Sequence, residues 1–412
     1  MSPLQGSQAP VESRGTQRNS FVHAAARKQR GVALLVVLVA LGLLVGMLAI
    51  GFAGDLVRQN HGQQRTTDAL AQAKEALIGR AASDDNRPGS LLCPDTDDDG
   101  TAELFVGGDC PSYIGRLPWK SLGLADLRDS NGETLWYALS NGFRDHGTAE
   151  PINNDTKGNR TVYSESTATT LTTEAVAVVF APGASLGAQI RDAALALCPT
   201  TGTTIARNQC AANYLETAAT VNNATTNGPY ISAQRSDSFN DRLLLVTTAD
   251  LMPTVERRVA REILARLQDY RNLSACGCYP WAANDFDDDS IVGTTRGGVP
   301  IENALPETWG SLGILVPPWL SINEWGDKFY YAVAPAETAT PTAGTLTVDV
   351  VSKNVVLITP GPAGTPLGGT GRPPFNSNLA DYLDDAENSN NNDIFVTPSS
   401  VAYARDRIYV IP

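Results

Sequence analysis

Two short acidic stretches hold the residues best suited to chemistry. Asp95-Thr96-Asp97-Asp98-Asp99-Gly100 spaces carboxylates at positions 1, 3 and 5 of a turn and puts glycine at position 6, the opening of a loop that wraps oxygen ligands around a calcium ion. Asp285-Phe286-Asp287-Asp288-Asp289-Ser290 keeps the three carboxylates but has serine in the place of the glycine. Full calcium loops of this kind close with a bidentate glutamate at position 12; the corresponding residues here are Val106 and Arg296, so neither stretch is complete. The first would take further oxygens from Glu103, Asp109 or main-chain carbonyls. The spacing thus points to calcium held by Asp95, Asp97 and Asp99, and by Asp285, Asp287 and Asp289, with a solvated acidic turn as the competing reading of each.

Other chemistries find less support. Adjacent aspartates on a turn lack the apolar wall that would raise one of them into a general acid. There is no Gly-x-Ser-x-Gly, and His146 sits in the turn-rich Asn141-Gly142-Phe143-Arg144-Asp145-His146-Gly147, so neither half of a serine hydrolase site is apparent. The six tryptophans, Trp119, Trp136, Trp281, Trp309, Trp319 and Trp325, could stack on sugars, but most lie in segments that read as core. The expectation is a protein without catalytic activity.

Six cysteines, Cys93, Cys110, Cys198, Cys210, Cys276 and Cys278, are even in number and suggest an oxidising compartment. Sequence proximity favours Cys93 with Cys110 and Cys198 with Cys210; a bond across Cys276-Gly277-Cys278 would close a small ring. No Cys-x-x-Cys or Cys-x-x-His spacing occurs and the histidines are isolated, which argues against zinc.

The elements that must carry these residues begin with an uncharged run of 24 residues, Gly31 to Gly54, preceded by Arg27, Lys28 and Arg30 and closed by Asp55. As a helix it would reach about 36 Å, against a hydrocarbon core of roughly 30 Å. It therefore reads as a membrane-spanning helix with its basic flank on the cytoplasmic side. The chain carries −13 overall, while residues 1–30 hold five basic side chains and one acid, so the remainder is more acidic than the whole. A body of that sign, with scattered Lys and Arg, is a poor ligand for phosphate backbones, and nucleic-acid binding is not expected. Only 18% of residues are charged, and the abundance of Gly, Thr, Asn and Pro fits an exported, loop-rich protein.

The chain also repeats itself. Lys74-Glu75-Ala76-Leu77 returns as Arg261-Glu262-Ile263-Leu264, Asp97–Asp99 as Asp287–Asp289, and Ser121-Leu122-Gly123-Leu124 as Ser311-Leu312-Gly313-Ile314. Leu135-Trp136-Tyr137-Ala138 matches Phe329-Tyr330-Tyr331-Ala332, Val178-Val179-Phe180-Ala181-Pro182-Gly183 matches Val356-Leu357-Ile358-Thr359-Pro360-Gly361, and Asn213-Tyr214-Leu215-Glu216 matches Asp381-Tyr382-Leu383-Asp384, all in the same order. Leu70, Ala73, Leu77 and Ala81 fall at helical spacing, as do Val255, Val259, Ile263, Leu267 and Tyr270 after an opening at Met252-Pro253-Thr254. Short β-branched or aromatic runs read as strands at 134–139, 175–180, 242–248, 328–334, 345–351, 355–359 and 408–411. Residues 140–172 and 200–238 read as long loops. The expected fold class is α+β: a long N-terminal membrane-spanning helix followed by two tandem domains, each a helix on an antiparallel sheet. The boundaries are a basic leader 1–31, a transmembrane and amphipathic helix 32–83, a first globular domain 84–251 and a second, repeated one 252–412.

A short basic tail, a glycine, an unbroken apolar helix that continues as an amphipathic one, and then a small antiparallel sheet resemble a type IV pilin or type II secretion pseudopilin. The resemblance rests on residues 27–83 and is architectural beyond them. It implies that a prepilin peptidase cuts after Gly31 and leaves Val32 as the new N-terminus. Most members carry a glutamate five residues in, and this sequence has Val36. A buried carboxylate without a partner is costly, so its absence is similar to the large minor pseudopilin that caps the filament. The resemblance further implies other pilin or pseudopilin subunits and the inner membrane as partners, a single-pass inner-membrane location with the body in the periplasm or at a filament tip of a Gram-negative bacterium, and a mechanical role in a pilus or secretion filament. The rival reading is an uncleaved, membrane-anchored periplasmic protein that binds calcium or another ligand.

Overall fold

The computed structural model describes residues 30–147, 150–283, 288–361, 378–398 and 406–412, without the side chains of residues 30–34, 46, 48–59, 166–168 and 381. Residues 1–29 of the basic leader lie outside the described residues, and Arg30 and Gly31 open the first helix. The chain divides into two compact units, Met1–Asn60 and His61–Pro412, and the boundary falls within the first helix, α1, Arg30–Ser83.

In the first unit, the described side chains Leu35–Val45 and Met47 are apolar or glycine, and the large ones among them are exposed. Among the described residues no helix is long and apolar enough to cross a membrane. This overturns the expected membrane-spanning helix, and with it the single-pass inner-membrane anchor. The described apolar stretch falls short of the ~20 residues that crossing requires.

The second unit is built on two main sheets, with one three-stranded and two two-stranded sheets beside them among the described residues. In the first, β1 (Ile114–Arg116), β2 (Trp136–Leu139), β3 (Arg160–Ser164), β4 (Ser166–Ala181), β5 (Tyr230–Ser232) and β6 (Arg242–Thr247) run in the order β1-β2-β4-β3-β5, with β6 also paired to β4. In the second, β7 (Arg296–Gly298), β8 (Tyr330–Val333), β9 (Val355–Thr359) and β10 (Arg407–Ile411) form the order β7-β8-β9-β10. The antiparallel path β1-β2-β4-β6 has the same connectivity as β7-β8-β9-β10. Its registers agree as well: Trp136, Tyr137 and Ala138 face Phe180, Val179 and Val178, while Tyr330, Tyr331 and Ala332 face Ile358, Leu357 and Val356.

Alternation across the pleat sends neighbouring residues to opposite faces. Tyr137, Val179, Tyr331 and Leu357 join Leu70, Ala73, Leu77 and Ala81 of α1 and Val255, Val259, Ile263, Leu267 and Tyr270 of α2 (Thr248–Leu273) in one core. The opposite faces are covered by loops and, in the second copy, also by Leu346, Val348 and Phe395 of a small three-stranded sheet. Trp136, Val178 and Phe180 pack on Tyr214 and Leu215, and Tyr330, Val356 and Ile358 pack on Tyr382 and Leu383. Expected as two tandem heads, the repeats share one helical layer and one core. Trp136, Trp281, Trp309, Trp319 and Trp325 are all buried.

Two local expectations change. Helix α2 starts before Met252, because Thr247 and Asp250 close a capping box in which each side chain takes the other's main-chain N–H. The segments read as loops contain β3, the first half of β4 and β5. A turn through Glu165 at φ 58° folds the Thr-rich run Ser166–Glu174 back on β3, so threonine's β preference prevails over the polar composition.

Candidate metal centre

Asp95 sits where the chain enters the first sheet. Its N–H donates to the carbonyl of Arg116 (3.0 Å) and its carbonyl accepts the N–H of Arg116 (2.6 Å), which fastens the loop to β1. Gly115 permits that approach, since a Cβ there would lie 2.3 Å from the Asp95 carbonyl. The Asp95 side chain, 1% exposed, organises the turn itself. Oδ1 accepts the N–H groups of Asp97 (3.1 Å) and Asp98 (2.8 Å), and Oδ2 accepts that of Gly100 (2.7 Å). Gly100 has φ +84°, and a Cβ on it would strike the Trp119 ring at 2.6 Å, which explains glycine at the sixth position.

The carboxylates of Asp95, Asp97 and Asp99 each offer an oxygen, and these lie within 4.8 Å of one another. Oxygens bound to calcium at 2.3–2.6 Å stand at most about 5 Å apart across the ion, so the set fits a hard cation. Asp95 Oδ2, with one donor, keeps a lone pair for it. Asp98 is not part of the group; it faces Arg116 Nε at 3.7 Å. Burial pushes the Asp95 carboxyl up to about 6, against the opposing bonds from Gly100 and Asp98 and with the Asp97 charge adding to the rise. Asp99 lies below the usual range because the hydroxyl and N–H of Thr101 both donate to it. A buried carboxylate with a raised pKa beside two exposed ones is the arrangement that a divalent cation would relieve.

The supplementary ligands expected from the sequence are engaged elsewhere. Glu103 Oε1 accepts the N–H (2.9 Å) and hydroxyl (2.5 Å) of Thr96. Asp109 Oδ1 accepts from Tyr113 Oη (2.7 Å) and lies 3.2 Å from Arg144 Nε. Main-chain oxygens are also taken: Lys120 Nζ donates to the Asp99 carbonyl, and Gln209 Nε2 donates to that of Asp97 at 3.1 Å. In the second acidic stretch Asp285 and Asp287 lie outside the described residues. Asp289 is exposed and bridges Asn303, so of the three expected ligands only this one is placed.

Disulfides Cys93–Cys110 and Cys198–Cys210 flank the centre, and a third joins Cys276 to Cys278. The loop closed by the second supplies Gln209. Gly31 and Val32 fall in the first turn of α1, with side chains outside the described set.

One residue beside the centre has no forewarning in the spacing of the acids. Arg116 is 4% exposed and its guanidinium lies over the rings of Tyr214 (4.2 Å) and Trp136 (4.8 Å) while Nη2 donates to the Asn208 carbonyl (2.9 Å). It couples the acidic loop, the sheet and the disulfide loop in one buried cation–π stack. The corresponding residue of the second sheet is Gly298, so the repeat gives no signal for it.

No family model, curated protein or solved structure matches this chain.

Proposed function

We propose that this protein is a non-catalytic structural subunit of a pilin-type filament, a minor or tip component whose head, stiffened by calcium at Asp95, Asp97 and Asp99, is displayed by α1. The observation that carries this reading is the contrast along α1. Leu70, Ala73, Leu77 and Ala81 are buried in the core of the second unit. From Leu35 to Met47 the large apolar residues are 54–71% exposed, and no polar residue interrupts Leu35–Val45. A helix apolar on all sides is stable only when surrounded, and a bundle of like helices from neighbouring subunits provides such surroundings. A duplicated head is too broad to repeat at every position of a shaft and fits at an end.

The test is a paired substitution, Leu38→Asp with Leu44→Asp. The variant is expected to disappear from assembled filaments while the melting temperature of the head stays unchanged. Undiminished incorporation would refute the packing role. The acidic centre alone would also suit a calcium-binding protein that never assembles, and that reading predicts no effect of these substitutions on calcium binding or location.

A further inference from the structure

Asp241 lies immediately before β6 and Glu216 immediately after the Tyr214-Leu215 pair that covers the first sheet. They are 5% and 7% exposed, and each accepts main-chain N–H groups from the other's segment. Glu216 Oε2 accepts from Asn240 (2.9 Å) and Asp241 (3.1 Å), and Asp241 Oδ2 accepts from the N–H of Glu216 (2.9 Å) and from Asn223 Nδ2 (2.9 Å). Gln189 Nε2 donates to Glu216 Oε1 at 2.9 Å. The remaining oxygen, Asp241 Oδ1, is buried with no donor.

Two adjacent buried carboxylates cannot both stay ionised cheaply without a cation. None of the neighbouring charges is bonded to them. Arg191 donates to Gln189 Oε1, Gly183 O and Asn213 O and pairs with Glu133. Arg242 reaches Gln63 and Thr67 of α1. Asp129 accepts the N–H of Gly183, and Arg235 and Asp237 line surface hollows on either side.

We propose that Asp241 keeps a proton on its donorless Oδ1, facing Glu216, and that the two form a pH-sensitive clasp that fixes the 183–224 segment and β5 to the start of β6. The proton gives Oδ1 of Asp241 a hydrogen bond to make with Glu216. Asn223 extends the clasp, since its Oδ1 accepts the N–H of Ile231 in β5 at 2.8 Å.

The second copy shows the same device with a shorter acid in the pair. Asp406, before β10, accepts the N–H groups of Asp384 (2.9 Å) and Asp385 (3.1 Å) and the amide of Asn388 (3.4 Å), and Asn388 Oδ1 accepts the N–H of Val396 (2.9 Å). There Asp384 stands in place of Glu216; burial and, more weakly, the Asp384 charge push the Asp406 carboxyl up as well, but both oxygens of Asp406 have donors, so none is left without a hydrogen bond. In the first copy burial, and after it the Glu216 charge, pushes Asp241 well above the ordinary carboxylate range. A group whose folded pKa is raised stabilises the fold at low pH and loses that contribution as pH rises through the folded value. The clasp therefore loosens on the alkaline side.

Thermal melting of the full chain from about pH 5 to about pH 8 tests this in wild type, Asp241→Asn, Glu216→Gln and Asp406→Asn. An asparagine at 241 supplies the donor permanently, so D241N is expected to gain on wild type as pH rises, melting higher by roughly 2–4 °C at the alkaline end. D406N, which turns a donor toward donors, is expected to melt lower at every pH. Amide exchange at Glu216 and Asp241 should accelerate with pH beyond its intrinsic dependence in wild type and not in D241N. A difference between D241N and wild type that is independent of pH, or a wild-type exchange profile that is unaffected by either substitution, overturns the proposal. Should D241N fail to fold, E216Q carries the test. Its amide faces the donors that Glu216 accepts, so it is expected to melt lower than wild type overall. With the acid pair gone, its loss of stability from about pH 5 to about pH 8 is expected to be smaller, and an unchanged pH dependence overturns the proposal.

Discussion

At the scale of single residues, the acidic loop is built on one carboxylate that does two jobs. Asp95 binds three N–H groups of its own turn and still presents an oxygen near those of Asp97 and Asp99. Chelation is expected to lower the melting temperature of the wild type and to leave Asp97→Ala unmoved, because removing one ligand of a loop with so few empties it. Calcium affinity should also depend on pH. With Asp95 raised to about 6, a proton competes with the metal below that value, so affinity measured by calorimetry should fall roughly tenfold from pH 7 to pH 5. Without metal the sign is opposite: the folded loop holds a proton more tightly than the unfolded chain, and its stability declines as pH rises through about 6. The 1, 3, 5 spacing and the glycine were legible in the sequence because they are local. The engagement of Glu103 by Thr96 and of Asp109 by Arg144 was not, nor was the Arg116 stack, since these depend on partners brought together by the fold.

At the scale of elements, the helical faces were readable from spacing alone: every residue placed on the apolar stripes of α1 beyond Thr66 and of α2 is buried. Proline at 253 does not mark the start of α2; the capping box of Thr247 and Asp250 is the stronger signal and sets the start five residues earlier, at Thr248. A further signal lies in the last strands. Asp241-Arg242-Leu243 and Asp406-Arg407-Ile408 have one pattern, and each arginine ties its strand to a helix, Arg242 to α1 and Arg407 to the fully buried Glu256 of α2. Burial raises the Glu256 carboxyl even though Arg407 opposes the rise. Arg407→Met should therefore cost about 2–3 kcal/mol near neutral pH, less than a fully buried pair because Arg407 is partly exposed. Denaturant unfolding should show the loss shrinking as pH falls, when the unpaired glutamate takes up a proton.

At the scale of the whole molecule, the duplication visible in six ordered sequence matches has become two sheets of one connectivity around a shared layer of helices. Sequence order suggested beads on a string because nothing in it reports which faces are paired. The inner faces of the two copies, Tyr137 and Val179 and Tyr331 and Leu357, instead share one core with α1 and α2, and His61–Pro412 is one compact unit. A head that is closed on itself leaves the exposed apolar stretch Leu35–Met47 as the surface with most to gain from partners. The measurement closest to this claim is mass spectrometry of purified filaments from cells that express the protein. A chain beginning at Val32, present in filaments at low copy number, is the predicted result; filaments free of the chain, with the cellular protein still beginning at Met1, would contradict it.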